Sequence, residues 1–122
     1  MISPSVRSVY LVNVAGLLKH RDTKYCVCVS VGAGKYLFIN TEHREHYDDF
    51  QINAKNYDFL AGVDRFLSCI GPTKIPPSRL IQKVGHLNDM DAKTMYVKIE
   101  ESDLISDDDK EIILPELWKT FR

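Results

Sequence analysis

The sequence predicts an α+β domain: a small antiparallel β-barrel over about residues 6–87, followed by helices over about residues 88–122. Three observations carry this. Short runs of β-branched and aromatic residues recur between Val9 and Ile70 and are joined by hairpin-length links. Helix-start signals are confined to the last third of the chain. A chain of 122 residues makes a single domain, able to bury roughly two thirds of its unfolded surface in one core. The same strand run is compatible with an OB-like barrel.

The first strand is Val9 to Val14, VYLVNV, with both faces largely apolar, and Gly16 ends it. Leu17 to Lys24 is a polar loop. Tyr25 to Val31, YCVCVSV, is the clearest strand, short and without Gly or Pro. Gly32-Ala33-Gly34 links it as a hairpin to a third strand, Lys35 to Thr41. A charged loop, EHREHYDD, covers Glu42 to Asp49. Phe50 to Ile52 forms a short fourth strand and Val63 to Ile70 a fifth. Gly71-Pro72 ends the fifth strand, Ile75-Pro76-Pro77 stays extended, and Ser78 caps one helical turn through Leu80 and Ile81. Asn88 caps a helix from Asp89 to about Ser102, with Met95, Ile99 and Ala92 as its apolar stripe. Ser106 and Asp109 open a second helix, which Pro115 breaks; Leu117, Trp118 and Phe121 form a last apolar patch.

Composition is that of an ordinary globular protein, 44% apolar and 27% charged. No apolar run approaches the ~20 residues of a membrane span and no leader-like segment is read, so the expected location is the cytoplasm. Cys26, Cys28 and Cys69 lack metal-ligand spacing and read as small core residues; no metal and no cofactor is expected. The net charge of −1 conceals an asymmetry. Residues 1–86 carry 11 Lys/Arg against 7 Asp/Glu, a balance of +4, and residues 87–122 carry 5 against 10, a balance of −5. The strand-rich part can therefore present a positive face.

Between Phe50 and Leu87 the order of residues resembles the second half of the MazF/PemK-like toxin family. That family has a hydrophobic-small-Cys or Glu strand, a Thr-Ile-Asp-Lys-Arg-Leu turn, and a Lys-Ile-Gly-x-Leu segment before its last helix. The matching residues are Ser68-Cys69, Lys74-Ile75 with Ser78-Arg79-Leu80, and Lys83-Val84-Gly85-His86-Leu87, over about a third of the chain. The resemblance implies an SH3-like barrel and a toxin-antitoxin-type endoribonuclease. Such an enzyme cleaves single-stranded RNA without metal, is a homodimer, and is neutralised by an antitoxin-like protein or peptide. No membrane or DNA contact is expected. The alternative is a catalytically degenerate barrel of that fold that binds a peptide or RNA, and an unrelated α+β protein is a third reading.

In the family an Arg-Pro dipeptide opens the second strand after a Glu-Gln-Gly loop. Here Lys24-Tyr25 stands in that place and the loop lacks Glu-Gln-Gly. Lys24 keeps the charge without the planar fork, and Arg21 in the same loop can stand in for it. Thr41 matches the family's Ser or Thr at the end of the third strand, where a hydroxyl can donate to phosphate. His43 is the candidate for proton exchange near neutral pH, so the expected catalytic set is Lys24, Thr41, Arg21 and His43. The expected RNA-binding set is His20, Arg44, His46 and Lys74, with Arg65 a further phosphate holder and Tyr36, Phe38 or Tyr47 able to stack bases. A solvated His, a strand-capping Thr and core aromatics are the bland readings of these same residues.

Overall fold

The computed structural model describes residues 2–121. Its seven strands are β1 (Ser8–Asn13), β2 (Thr23–Ser30), β3 (Lys35–Asn40), β4 (Phe50–Ile52), β5 (Arg65–Leu67), β6 (Thr73–Lys74) and β7 (Leu80–His86). Two helices follow, α1 (Asp89–Glu101) and α2 (Asp107–Lys119). The sheet runs β4-β5-β3-β2-β1-β7 with every pairing antiparallel, and β6 adds to β3.

This sheet is open. An SH3-like barrel would require the β4 and β7 edges to pair, and they do not. Residues 53–62 cross the gap as two single 3₁₀ turns, Ala54–Asn56 and Asp58–Leu60. Several of their amides are used locally, for example Tyr57 N to Ala54 O and Ala61 N to Asp58 O, and the segment forms no ladder with either edge. The seam is sealed by side chains instead. A Cβ on Gly85 of β7 would lie 3.0 Å from Phe59 Cδ1, and Phe59 stacks edge-on with Tyr25 at 5.1 Å. The SH3-like barrel expected above, and with it the MazF/PemK-like assignment, is therefore corrected to an open, seven-stranded sheet with two C-terminal helices.

Alternation fixes which side chains face which layer. Val9, Val27, Val29, Leu37, Ile39 and Leu67 form one face, and the helices cover it with Met95, Ile99, Ile113 and Leu117. Full burial of each such side chain stabilises the fold by about 1.5–3 kcal/mol. The opposite face buries Tyr10, Val12, Cys26, Cys28 and Tyr36 against Ile75 and Leu80. The Val31–Gly34 turn needs its glycine, since Gly34 has a φ of 65°.

Both helices start where expected: Asn88 Oδ1 accepts from Asp91 N and Ser106 Oγ from Asp109 N. Pro115, however, lies inside α2 and does not end it. The turn beyond it is held by tertiary contacts, with Ile113 and Leu117 buried and the Glu116 carboxylate accepting from Ser30 Oγ, Val31 N and Gly32 N. Two strands, β6 and β7, replace expected irregular chain. The helical turn at Ser78 is a 3₁₀ turn, Pro77–Arg79, and Leu80 and Ile81 open β7, which lies along β1. The fifth strand is only three residues long, because Ser68 onward leaves the ladder after Ser68 N bonds Phe38 O.

Arg7 ties the sheet to both helices. It is 4% exposed, with a φ of 73°. Its Nη2 donates to Leu87 O at 2.7 Å and Asp89 Oδ1 at 2.8 Å, its Nη1 donates to Thr120 O at 3.2 Å, and its guanidinium lies 5.2 Å from the Phe121 ring centroid. Tyr57 adds a second tie, its hydroxyl donating to Asp91 Oδ2 and accepting from Asn88 N.

Candidate functional site

Two loops meet at one end of the sheet. The loop from Val14 to Asp22 is closed on itself by Val14 N to Asp22 O at 2.8 Å and by Leu17 N to Val14 O, with Gly16 and His20 at positive φ. It delivers Arg21 to the start of β2, beside Lys24. The loop after β3 is pinned from two sides. Cys69 N donates to Tyr47 O, and the buried Asp49 carboxylate accepts from His43 Nδ1 at 2.5 Å and Arg44 N at 2.8 Å. Asp49 has a side chain only 1% exposed, against 60% for His43.

The result is a cleft that wraps around the end of β2. On one side a pit of about 180 Å³ is lined by Arg21, Lys24, Asn40, Thr41, Glu42 and Arg44. On the other, a pit of about 250 Å³ shares Arg21 and Lys24 and adds Tyr25 and Arg65. Three of these cations lie over aromatic rings: Lys24 over Phe38 at 5.4 Å, Arg44 over Tyr47 at 5.5 Å and Arg65 over Tyr25 at 5.5 Å. Such contacts restrain long side chains while leaving their donors outward.

Electrostatics single out Lys24. Partial burial, then the neighbouring Arg21, pull its ammonium below the usual lysine range; Cys26 acts the other way, and Arg44 and Arg65 add smaller lowering contributions. Among the described residues none of Arg21, Lys24, Arg44 and Arg65 forms an ion pair. Arg65 Nε is in addition buried without a hydrogen-bond partner, as are Arg7 Nε and Ser68 Oγ. Four cations gathered with Glu42 as the one carboxylate among the described residues lining the pits cost stability unless a further anion joins them.

Of the residues expected from sequence, Arg21, Lys24, Thr41 and Arg44 line the cleft together. His43 stands beside it, its ring 5.7 Å from that of Phe66, whose register partner is Asn40. His20 is exposed on the first loop, and His46 is exposed in the 3₁₀ turn Glu45–Tyr47. Lys74 is not brought to the cleft. It pairs with Lys35 at the far end of β3, about 20 Å along the strand from Thr41. Tyr36 is buried in the second core, whereas Phe38 and Phe66 are half-buried on the cleft's own face. Sequence reading missed Asp49 and Asn40. Nothing local marks Asp49 among the charges of EHREHYDD; only the folded loop shows which carboxylate is buried.

No protein-family model matches the chain, and no curated protein sequence matches it. Among the described residues no group of three or more His, Cys, Asp or Glu side chains is placed to hold a metal ion. The three cysteines are free and buried, and burial pushes Cys26 and Cys69 up to about 12 and Cys28 to about 11, so they stay protonated at neutral pH. None of the described helices is long and apolar enough to cross a membrane. A larger groove of about 1040 Å³ lies between α1 and α2, lined by Tyr96, Val97, Leu114 and Trp118, and shares no residue with the cleft.

Proposed function

We propose that the cleft holds the phosphodiester backbone of single-stranded RNA and that the protein is an endoribonuclease, using the substrate's own 2′-hydroxyl as the nucleophile. The observation that carries this is the convergence of Arg21, Lys24, Arg44 and Arg65 with the Thr41 hydroxyl, without paired carboxylates. Cleavage through the 2′-oxygen passes through a phosphorane carrying extra negative charge. Pre-placed cations and a hydroxyl donor stabilise that species more than the ground state. Thr41 is the short-range donor to a non-bridging oxygen, and Arg21 and Arg44 supply planar forks to the neighbouring phosphates.

Two features favour a single strand. The pits are small, about 180 and 250 Å³, and Phe38 and Phe66 flank Asn40 on the same sheet face, where unpaired bases can stack while the amide reads an edge. An acidic polypeptide laid along the same four cations would compete with RNA, which is the form a protein partner takes in this reading.

The test uses a mixed-sequence RNA oligonucleotide, EDTA, and a matched oligonucleotide lacking the 2′-hydroxyl. RNA cut to products ending in 2′,3′-cyclic phosphate, with a 2′-O-methyl strand of the same sequence bound but intact, is the expected result. RNA that is bound and never cut would reduce the cleft to a binding surface; RNA that is not bound at all would end the reading.

A further inference from the structure

Resting on that reading, we infer that His43 is the proton-transfer residue of the cleft and that Asp49 is its positioning residue. Two contacts fix the imidazole. Nδ1 bonds the Asp49 carboxylate at 2.5 Å, and the ring lies against Phe66 at 5.7 Å with a 50° tilt. Asp49 is buried and His43 is exposed, so the ring's inner nitrogen is held and its outer one, Nε2, is open to solvent. The second oxygen of the same carboxylate accepts from Arg44 N at 2.8 Å. One buried anion thus sets both the ring and the backbone of a cation that lines the phosphate pit. Glu42, the carboxylate in that pit, has no such orienting partner among the described residues.

A carboxylate accepting from Nδ1–H selects the tautomer whose Nε2 is a free base. That nitrogen takes the proton of the 2′-hydroxyl as the 2′-oxygen bonds to phosphorus. The bond from phosphorus to the 5′-oxygen breaks, and the departing oxygen takes a proton from the Lys24 ammonium, which its surroundings have made more acidic. The products are a 2′,3′-cyclic phosphate and a 5′-hydroxyl. His43 is left as imidazolium and Lys24 as amine, and each returns to its starting form by proton exchange with water. No co-reactant is consumed. The charged groups around the ring are Asp49 at Nδ1 and Glu42 and Arg44 on either side of it in the loop; Arg65, next to Phe66 on β5, lies on the other face of the sheet over Tyr25.

The same contacts would serve a purely mechanical staple of the loop, and experiment separates the two roles. His43→Gly is chosen because the side chain is exposed and its loss spares the core. RNA cleavage should fall by about a hundredfold or more, the usual contribution of a positioned acid or base, while RNA affinity changes less than about threefold. Free imidazole should restore part of the rate, and the restored rate should follow the ionisation of imidazole. Asp49→Asn should lower kcat with little change in KM and shift the acid limb of the kcat profile with pH. Cleavage by His43→Gly within about threefold of the unaltered protein would overturn the inference while leaving the proposed function standing. Lost cleavage that imidazole never restores, together with a lowered unfolding midpoint, would reduce the pair to a staple and overturn it as well. An unaltered protein that does not cut RNA would remove the proposed function itself.

Discussion

The salt dependence of RNA binding follows from the number of cations in the cleft. Arg21, Lys24, Arg44 and Arg65 lie around the two pits and form no ion pair among the described residues. If each neutralises one phosphate, the plot of log K against log salt has a slope of about −0.7 per contact, or about −2.8 for four. Raising salt from 50 to 200 mM then weakens binding roughly 50-fold. Replacing Arg44 with Ala removes one contact, so the slope falls to about −2.1 and the same change in salt costs roughly 20-fold. Fluorescence anisotropy of a labelled 2′-O-methyl oligonucleotide reads this without interference from cleavage. A slope for the unaltered protein shallower than about −1, or one that Arg44→Ala leaves unchanged, would refute the placement of phosphates in the cleft.

Three further outcomes are expected. Lys24→Met should weaken RNA binding yet raise the unfolding midpoint near neutral pH, because it removes a charge that the fold holds among like charges. Folding lowers the Lys24 pKa, so the unfolded chain binds more protons between that lowered value and 10.5, and the unaltered protein should gain stability relative to Lys24→Met as pH rises through this window in urea titrations. Glu116→Ala removes the charged acceptor for Ser30 Oγ, Val31 N and Gly32 N and should cost about 2–3 kcal/mol by the same titrations, with Glu116→Gln recovering part. Gly85→Ala presses a methyl against Phe59, already packed on Tyr25 and Tyr57, and should cost about 1–3 kcal/mol; an unchanged midpoint would show that the seam is loose.

Local pattern proved readable where one residue's environment is set by its neighbours in sequence. YCVCVSV and KYLFIN alternate between two buried faces, and Asn88 and Ser106 announce their helices through side-chain bonds three residues away. Long-range pairing was not readable. β7 is polar and mostly exposed, LIQKVGH, so its alternation is faint, and only its partner β1 makes it a strand. Barrel closure failed for a related reason: whether two edges join depends on what residues 53–62 do between them, and their 3₁₀ turns have no hydrophobic period. Pro115 follows the local rule for a helix breaker and is overridden by the anchoring of Glu116 and Leu117 beyond it. In the cleft, residue types pointed to Arg21, Lys24, Thr41 and Arg44, but Asp49 became visible only when the loop folded around it.

Arg7 bears on how the chain can be cut or rearranged. Its guanidinium is enclosed by groups from residues 87, 89, 120 and 121, all far from it in sequence. Truncation after Leu87 would strip away Asp89, Thr120 and Phe121 together with Met95, Ile99, Ile113 and Leu117, the side chains that cover one face of the sheet, at a cost of about 1.5–3 kcal/mol for each buried apolar side chain lost. Together these losses are a large share of the ~5–15 kcal/mol by which a domain of this size is held together. The β-rich segment is thus no module to be excised for grafting; its first strand is keyed to the far end of the polypeptide.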